Sequence, residues 1–250
     1  MSNSSRITMI TDMRSFLKMS FFLAVYILAA CIPVSLHAVS FTSLSREERE
    51  NLLINSLDRI YACPGDTIRL KVMTVSREFF FPMAGKPVDV SPAWNVEPSS
   101  GVLLDRQRNM VVIGRDVKDG TVFTVRATLH EGGTVLKNSV YVYTEDANPF
   151  IGNWKEKGGN IRELFIKPDR SFSVTVYPFE VYKDYWGHFT CDLKKQTIAF
   201  TIEGGNKKPA DCDLSGFYRF RRDGGLELRG IYFGTIVPED RRKQRYVFMK

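Results

Sequence analysis

The sequence predicts an all-β chain: a β-sandwich, then a small up-and-down eight-stranded β-barrel, with one short helix ahead of the sandwich. Three observations carry this. Aromatic residues make up 12% of the 250 residues, 18 of them Phe and 10 Tyr, a bias towards strands. Gly and Pro recur at short intervals, as many short strands joined by turns require. From Cys63 onwards the apolar residues fall in brief β-branched, partly alternating runs and not at helical spacing.

The chain opens with a targeting segment. Residues 1–12 are set aside, because "TMITD" resembles the opening of β-galactosidase as carried in cloning vectors and Met13 is a second candidate start. From Met13, Arg14 and Lys18 form a basic n-region, and an apolar h-region runs from about Phe21 to Ala30 before small residues, the layout of an export signal. The uncharged run to Val34 is shorter than the ~20 apolar residues of a spanning helix. Leu28-Ala29-Ala30-Cys31 resembles the lipobox of bacterial lipoproteins. That resemblance implies a lipoprotein-type signal peptide over 1–30, a diacylglyceryl group on Cys31, and attachment to the membrane through this N-terminal lipid. The protein would then stand in the bacterial cell envelope, at the outer membrane or the periplasmic face. The alternative is cleavage after Leu36-His37-Ala38 and secretion of a chain beginning at Val39.

Residues 31–61 read as a tether and a short helix. Ser45 and Glu48 fit a capping box, and Leu53, Leu57 and Ile60 share one face at helical spacing. This face is expected to pack on the next domain.

Residues 62–146 read as a β-sandwich of about six strands: "GDTIRLKVMTV", "VDVSPAWNV", "NMVVIG", "TVFTVRATLH" and "TVLKNSVYVYT" are bounded by turn residues. Gly65-Asp66-Thr67, Trp94, residues 120–129 and the closing "SVYVYT" resemble bacterial Ig-like domains of cell-surface proteins. On that resemblance Trp94 is a core residue. Phe79, Phe80 and Phe81 stand in a row, and since strand side chains alternate they cannot all face one core. They are expected to cover the seam between domains, or else to form an interaction patch. The linker is "TEDANP", ending in an Asn-Pro turn signal.

Residues 150–250 hold eight strand candidates, at about 151–157, 161–167, 171–177, 181–190, 196–203, 214–222, 226–234 and 244–250. Phe172, Val174 and Val176 alternate with Ser and Thr, as do Ile198, Phe200 and Ile202 with their neighbours. Turns lie at Gly158-Gly159-Asn160, Pro168-Asp169-Arg170 and Asp223-Gly224-Gly225. Within 226–234 the apolar phase shifts at Gly230, as a bulge or barrel corner requires. Closing the sheet on itself removes its exposed edges. Gly152-Asn153-Trp154 on the first strand then resembles the Gly-x-Trp of lipocalin-like domains of the calycin group. The resemblance implies that Gly152 and Trp154 pack at the closed end and that a basic residue of the last strand covers the indole: Arg245, with Arg242 as the alternative. The section is shorter than a full-length lipocalin and lacks the C-terminal helix. An eight-stranded barrel is either filled by side chains or holds one small ligand. Tyr182, Tyr185, Trp186 and Phe189 are therefore candidate lining for an apolar ligand, or candidate core.

Chemistry is sparse. Asp211-x-Asp213-x-Ser215-Gly216 imitates a calcium loop, but Arg222 stands where its last ligand should be, so no metal is expected. His130 and His188 fall in different domains. There is no nucleophile elbow and no phosphate loop, and Glu180 with Asp184 is a lone carboxylate pair. No catalytic residue and no cofactor are expected, and the protein reads as a non-enzyme. Cys191 and Cys212 flank one return strand about 23 Å long, too far for the ~7 Å a disulfide spans. The formal net charge is +7; the first 30 residues hold three basic groups against one acidic, leaving +5 after processing. The cluster Arg241, Arg242, Lys243, Arg245 is small for a nucleic-acid footprint, and no nucleic-acid partner is expected. The expectation is an envelope lipoprotein whose barrel binds a small hydrophobic ligand or an envelope partner. The alternative is a structural or adhesion protein whose two domains are protein-interaction modules with no ligand cavity.

Overall fold

A computed structural model describes residues 38–77, 82–130, 133–176, 184–234 and 245–250. The signal segment, Cys31, Phe79 to Phe81, Glu180, Tyr182 and Arg241 to Lys243 lie outside the described residues. The chain is all-β, with a sandwich-like part followed by a closed eight-stranded barrel.

The sandwich-like part begins earlier than residue 62. Its strands are β1 (Val39–Ser40), β2 (Leu53–Ile54), β3 (Ile60–Ala62), β4 (Thr67–Arg69), β5 (Val72–Ser76), β6 (Met83–Asp89), β7 (Ala93–Glu97), β8 (Val102–Asp105), β9 (Met110–Ile113), β10 (Val122–Thr128) and β11 (Val135–Val142). They form three sheets, in the orders β1-β6-β5-β2, β3-β11-β10-β7 and β4-β9-β8. A shared core runs from Leu44 and Ile54 through Trp94, Val111 and Phe123 to Val142. Trp94 is buried in it and its indole N–H donates to Asn109 Oδ1 at 2.9 Å. The run "GDTIRLKVMTV" is two strands, not one: it breaks at Leu70-Lys71, and β4 and β5 join different sheets.

The helix is shorter than its apolar spacing suggests. Helix α1 (Arg46–Glu50) carries the capping box, with Ser45 and Glu48 exchanging backbone and side-chain hydrogen bonds. It ends there because Leu53 and Ile54 pair with β5, and Ile60 pairs with β11. Asn55 turns the chain at φ 58°, and its side chain bonds Arg69 O and Lys71 N. Asn51, Asn55, Ser56 and Asp58 are weak helix formers, so strand pairing wins.

The barrel strands are β12 (Gly152–Glu156), β13 (Ile161–Ile166), β14 (Ser171–Val176), β15 (Tyr185–Asp192), β16 (Thr197–Gly205), β17 (Ser215–Phe220), β18 (Leu226–Arg229) and β19 (Arg245–Met249). Each pairs antiparallel with the next, and β19 returns to β12 through Lys155 opposite Met249 and Glu156 opposite Phe248. The seventh strand stops at Arg229; among the described residues from Gly230 to Gly234, Tyr232 bridges back to Asp213. Inward residues alternate as a half-buried strand requires: Leu164 and Ile166, Phe172 and Val174, Tyr185 and Phe189, Leu226 and Leu228, Tyr246 and Phe248 are all buried.

The two parts are clamped at the turn between β13 and β14. Lys167 Nζ lies 2.9 Å from Asp58, Arg59 lies 3.3 Å from Asp169, and Arg170 reaches both Asp119 at 4.0 Å and the carbonyl of Ala147 at 3.2 Å. The Asn148 side chain donates to the carbonyls of Lys167 and Pro168. Burial of Asp169 opposes its ionisation, but hydrogen bonds from Ser171 and Tyr61 and the charge of Arg59 outweigh it and hold the carboxyl below its usual range.

Candidate functional site

Gly152 and Trp154, two of the three predicted closing residues, lie on the first barrel strand, β12. Gly152 has φ +137°, a conformation side chains avoid, and a Cβ there would lie 2.8 Å from the Lys250 side chain. Trp154 is buried, and its indole N–H donates to Phe150 O at 2.7 Å. Among the described residues the cation over the indole is Lys250, with Nζ 4.8 Å from the ring centroid. Arg245 is not that cation. It lies on the outward phase of β19, between inward Tyr246 and solvent, and its guanidinium bonds Glu227 on the outer face. Lys250→Ala is expected to cost about 0.5–1 kcal/mol in urea unfolding; Lys250→Arg should retain most of it.

The barrel is packed with aromatic rings. Phe150, the last residue before β12 but one, turns inward and meets Tyr218 edge-on at 4.7 Å and Phe189 at 5.5 Å. Phe200 touches Phe172, Phe189 and Phe233, and Phe233 touches Tyr246 and Phe248. The candidate ligand residues are therefore divided. Tyr185 is buried with its hydroxyl donating to Phe233 O at 2.8 Å, and Phe189 is buried among the other rings. Trp186 faces out and is 39% exposed. Asp184, just before them, is fully buried; burial raises its pKa although the Val176 N–H donates to Oδ2.

On the outside, Trp186 forms one wall of a trough of about 450 Å³ across β13 to β16. The register builds it: Phe165 stands opposite Ser173, and Ser173 opposite Trp186, so a small residue lies between two large aromatic ones. A register shift between Trp186 and Gly187 turns the indole over β16, where a Cβ on Gly204 would come within 2.8 Å of the ring. Only glycine at 204 lets the indole lie that close to the backbone. The rim is polar. His188 Nδ1 lies 2.8 Å from Glu203 Oε1, both half exposed, with Lys167 beside them and Asn206 completing the lining. Apolar walls with a few converging polar groups are the kind of lining found in small-molecule sites.

Other motifs dissolve into the fold. Asp213 bridges Tyr232 and Ser215 opens β17, so the calcium-like spacing is strand. Among the described residues no three His, Cys, Asp or Glu converge on a metal-sized site. Cys63, Cys191 and Cys212 are free and partly buried. Among the described residues no helix is long and apolar enough to cross a membrane.

The residues that spacing did not single out are on the far wall. Glu227 has no accessible surface of its own, yet it points outward from β18 and is covered by arginine side chains. Arg219 and Arg245 reach Oε2 at 3.1 Å, Arg229 bonds Oε1, and Arg221 stands 4.0 Å away while pairing with Asp223. Burial opposes ionisation of Glu227, but the hydrogen bonds from Arg229, Arg245 and Arg219 outweigh it and hold the carboxyl at about 2.

The chain matches no protein-family model, and no curated protein matches it.

Proposed function

We propose that the protein is a non-enzymatic, exported envelope lipoprotein, anchored through Cys31, whose lipocalin-like barrel binds a small apolar ligand in the outer trough beside Trp186. The observation that carries this reading is the trough itself: Phe165 and Trp186 facing each other across Ser173, with His188, Glu203 and Lys167 at the rim. The packed interior moves the expected ligand from the inside of the barrel to its wall. Of the three tryptophans, Trp94 and Trp154 are buried, so ligand quenching of fluorescence reports Trp186. Anilinonaphthalene sulfonate, an apolar ring system with one anionic group, should bind saturably. Trp186→Ala should weaken it about tenfold, the upper range of one aromatic contact, and Tyr185→Phe should not. Equal binding by wild type and Trp186→Ala would remove the trough from the argument. Mass spectrometry of the mature N-terminus checks the anchor: an unmodified Val39 sinks it.

The packed interior also favours a second reading, in which the barrel and an Ig-like sandwich are protein-interaction modules. Absence of any saturable small-molecule binding by the intact protein would select it.

A further inference from the structure

Further round the barrel wall from the trough, β17, β18 and β19 present a different surface. Phe217, Arg229 and Arg245 lie in one cross-strand row, with Phe217 opposite Arg229 and Arg229 opposite Arg245. The next row holds Arg219 opposite Glu227. Arg219, Arg229 and Arg245 keep more than half of their side-chain surface exposed (58%, 56% and 56%) although all three bond Glu227. Phe217 is 59% exposed, an unusual place for a phenyl ring.

We infer that this face docks on an anionic lipid surface, with Phe217 entering the acyl boundary and Arg219, Arg229 and Arg245 contacting lipid phosphates.

Among the described residues the charge does not cancel within the patch. Glu227 has two oxygens, and three guanidiniums with five N–H groups each converge on them, so most donors point elsewhere. Arg221 is matched by Asp223, which leaves the other three against one carboxylate among the described residues. Glu227 also fixes the guanidiniums, so little side-chain freedom remains to be lost on binding. Guanidinium is suited to phosphate, which it meets through paired N–H groups. A soluble phosphate would use the arginines but has no need of an exposed ring beside them. A lipid interface uses both, because apolar side chains enter the headgroup boundary while cations stay at phosphate level. The surface is independent of the proposed anchor at Cys31 and of the ligand trough.

The test uses the chain from Val39, in which both hydrophobic cores are whole and no acyl group or signal segment is present. It should sediment with phosphatidylcholine vesicles containing phosphatidylglycerol and stay in solution with phosphatidylcholine alone. Binding should weaken as salt rises from about 0.1 M to about 1 M, where the screening length falls from ~10 Å to ~3 Å. Arg229→Gln with Arg245→Gln should lower the partition coefficient about 25-fold, roughly fivefold per arginine. Phe217→Ser should lower it about tenfold with an unchanged melting temperature, since the ring is exposed and holds no core together. Equal sedimentation with both vesicle types overturns the inference. So does unaltered binding by Phe217→Ser, or retention on duplex DNA without vesicle binding.

Discussion

Truncating Phe150 to alanine is expected to lower the barrel's unfolding free energy by about 3–5 kcal/mol, the range for a buried Phe. The ring has no accessible surface, and it touches Tyr218, Phe189 and Phe220 from outside the strand ladder. The core around it, Trp154, Leu164 and Tyr218 among its members, is itself buried and packed, so little material is free to fill the space. Calorimetry should show the barrel transition falling while the sandwich transition holds. The vacated space would be apolar and dry, so benzene should bind it and restore part of the loss. A cost below about 1 kcal/mol would mean that Phe150 does not plug the barrel.

Glu227→Gln should destabilise the barrel at neutral pH by about 1–3 kcal/mol. That lies between exposed ion pairs and the loss of one partner from a buried pair, because the carboxylate is covered by half-exposed arginines and not sunk in the core. The groups facing it are Arg219, Arg221, Arg229 and Arg245, with Asp223 next to Arg221. The folded carboxyl titrates at about 2 against an ordinary 4.5. A depressed pKa stabilises the fold above the ordinary value and stops doing so as pH falls through the folded one. The gap between wild type and Glu227→Gln should therefore be full at neutral pH, shrink below about 4.5 and close near 2. A gap that is constant with pH would assign the effect to shape and not to charge.

Much of this architecture was legible before any coordinates. Seven of the eight barrel strands fall within a few residues of their expected places, because period-two alternation and Gly, Pro or Asp turns are local signals; the seventh ends five residues early, at Arg229. The long apolar helix face was a false signal: Leu53, Leu57 and Ile60 have the right spacing, but the outcome depends on pairing partners distant in the chain. The same limit hid the role of Lys250, which reaches Trp154 only once the barrel closes. Trp186 is instructive. Strand alternation from Tyr185 and Phe189 puts it on the opposite face, so phase alone places it outside. The arginine sheath on Glu227 had no local trace, since its members come from three strands brought together by register.

Lys167 belongs to two structures at once: its ammonium pairs with Asp58 of the sandwich, and its side chain borders the trough. One cation cannot give its full attention to two anions. A ligand carboxylate or sulfonate that recruits it must loosen its hold on Asp58, and a chain in which the two halves have parted offers that cation freely. If a ligand anion draws on Lys167, its binding and the Lys167–Asp58 pair are thermodynamically reciprocal, each weakening the other by the same factor. Asp58→Asn should tighten binding of anilinonaphthalene sulfonate, and a neutral dye of similar shape should be indifferent. The clamp between the halves would then serve as a gauge of what the wall is holding.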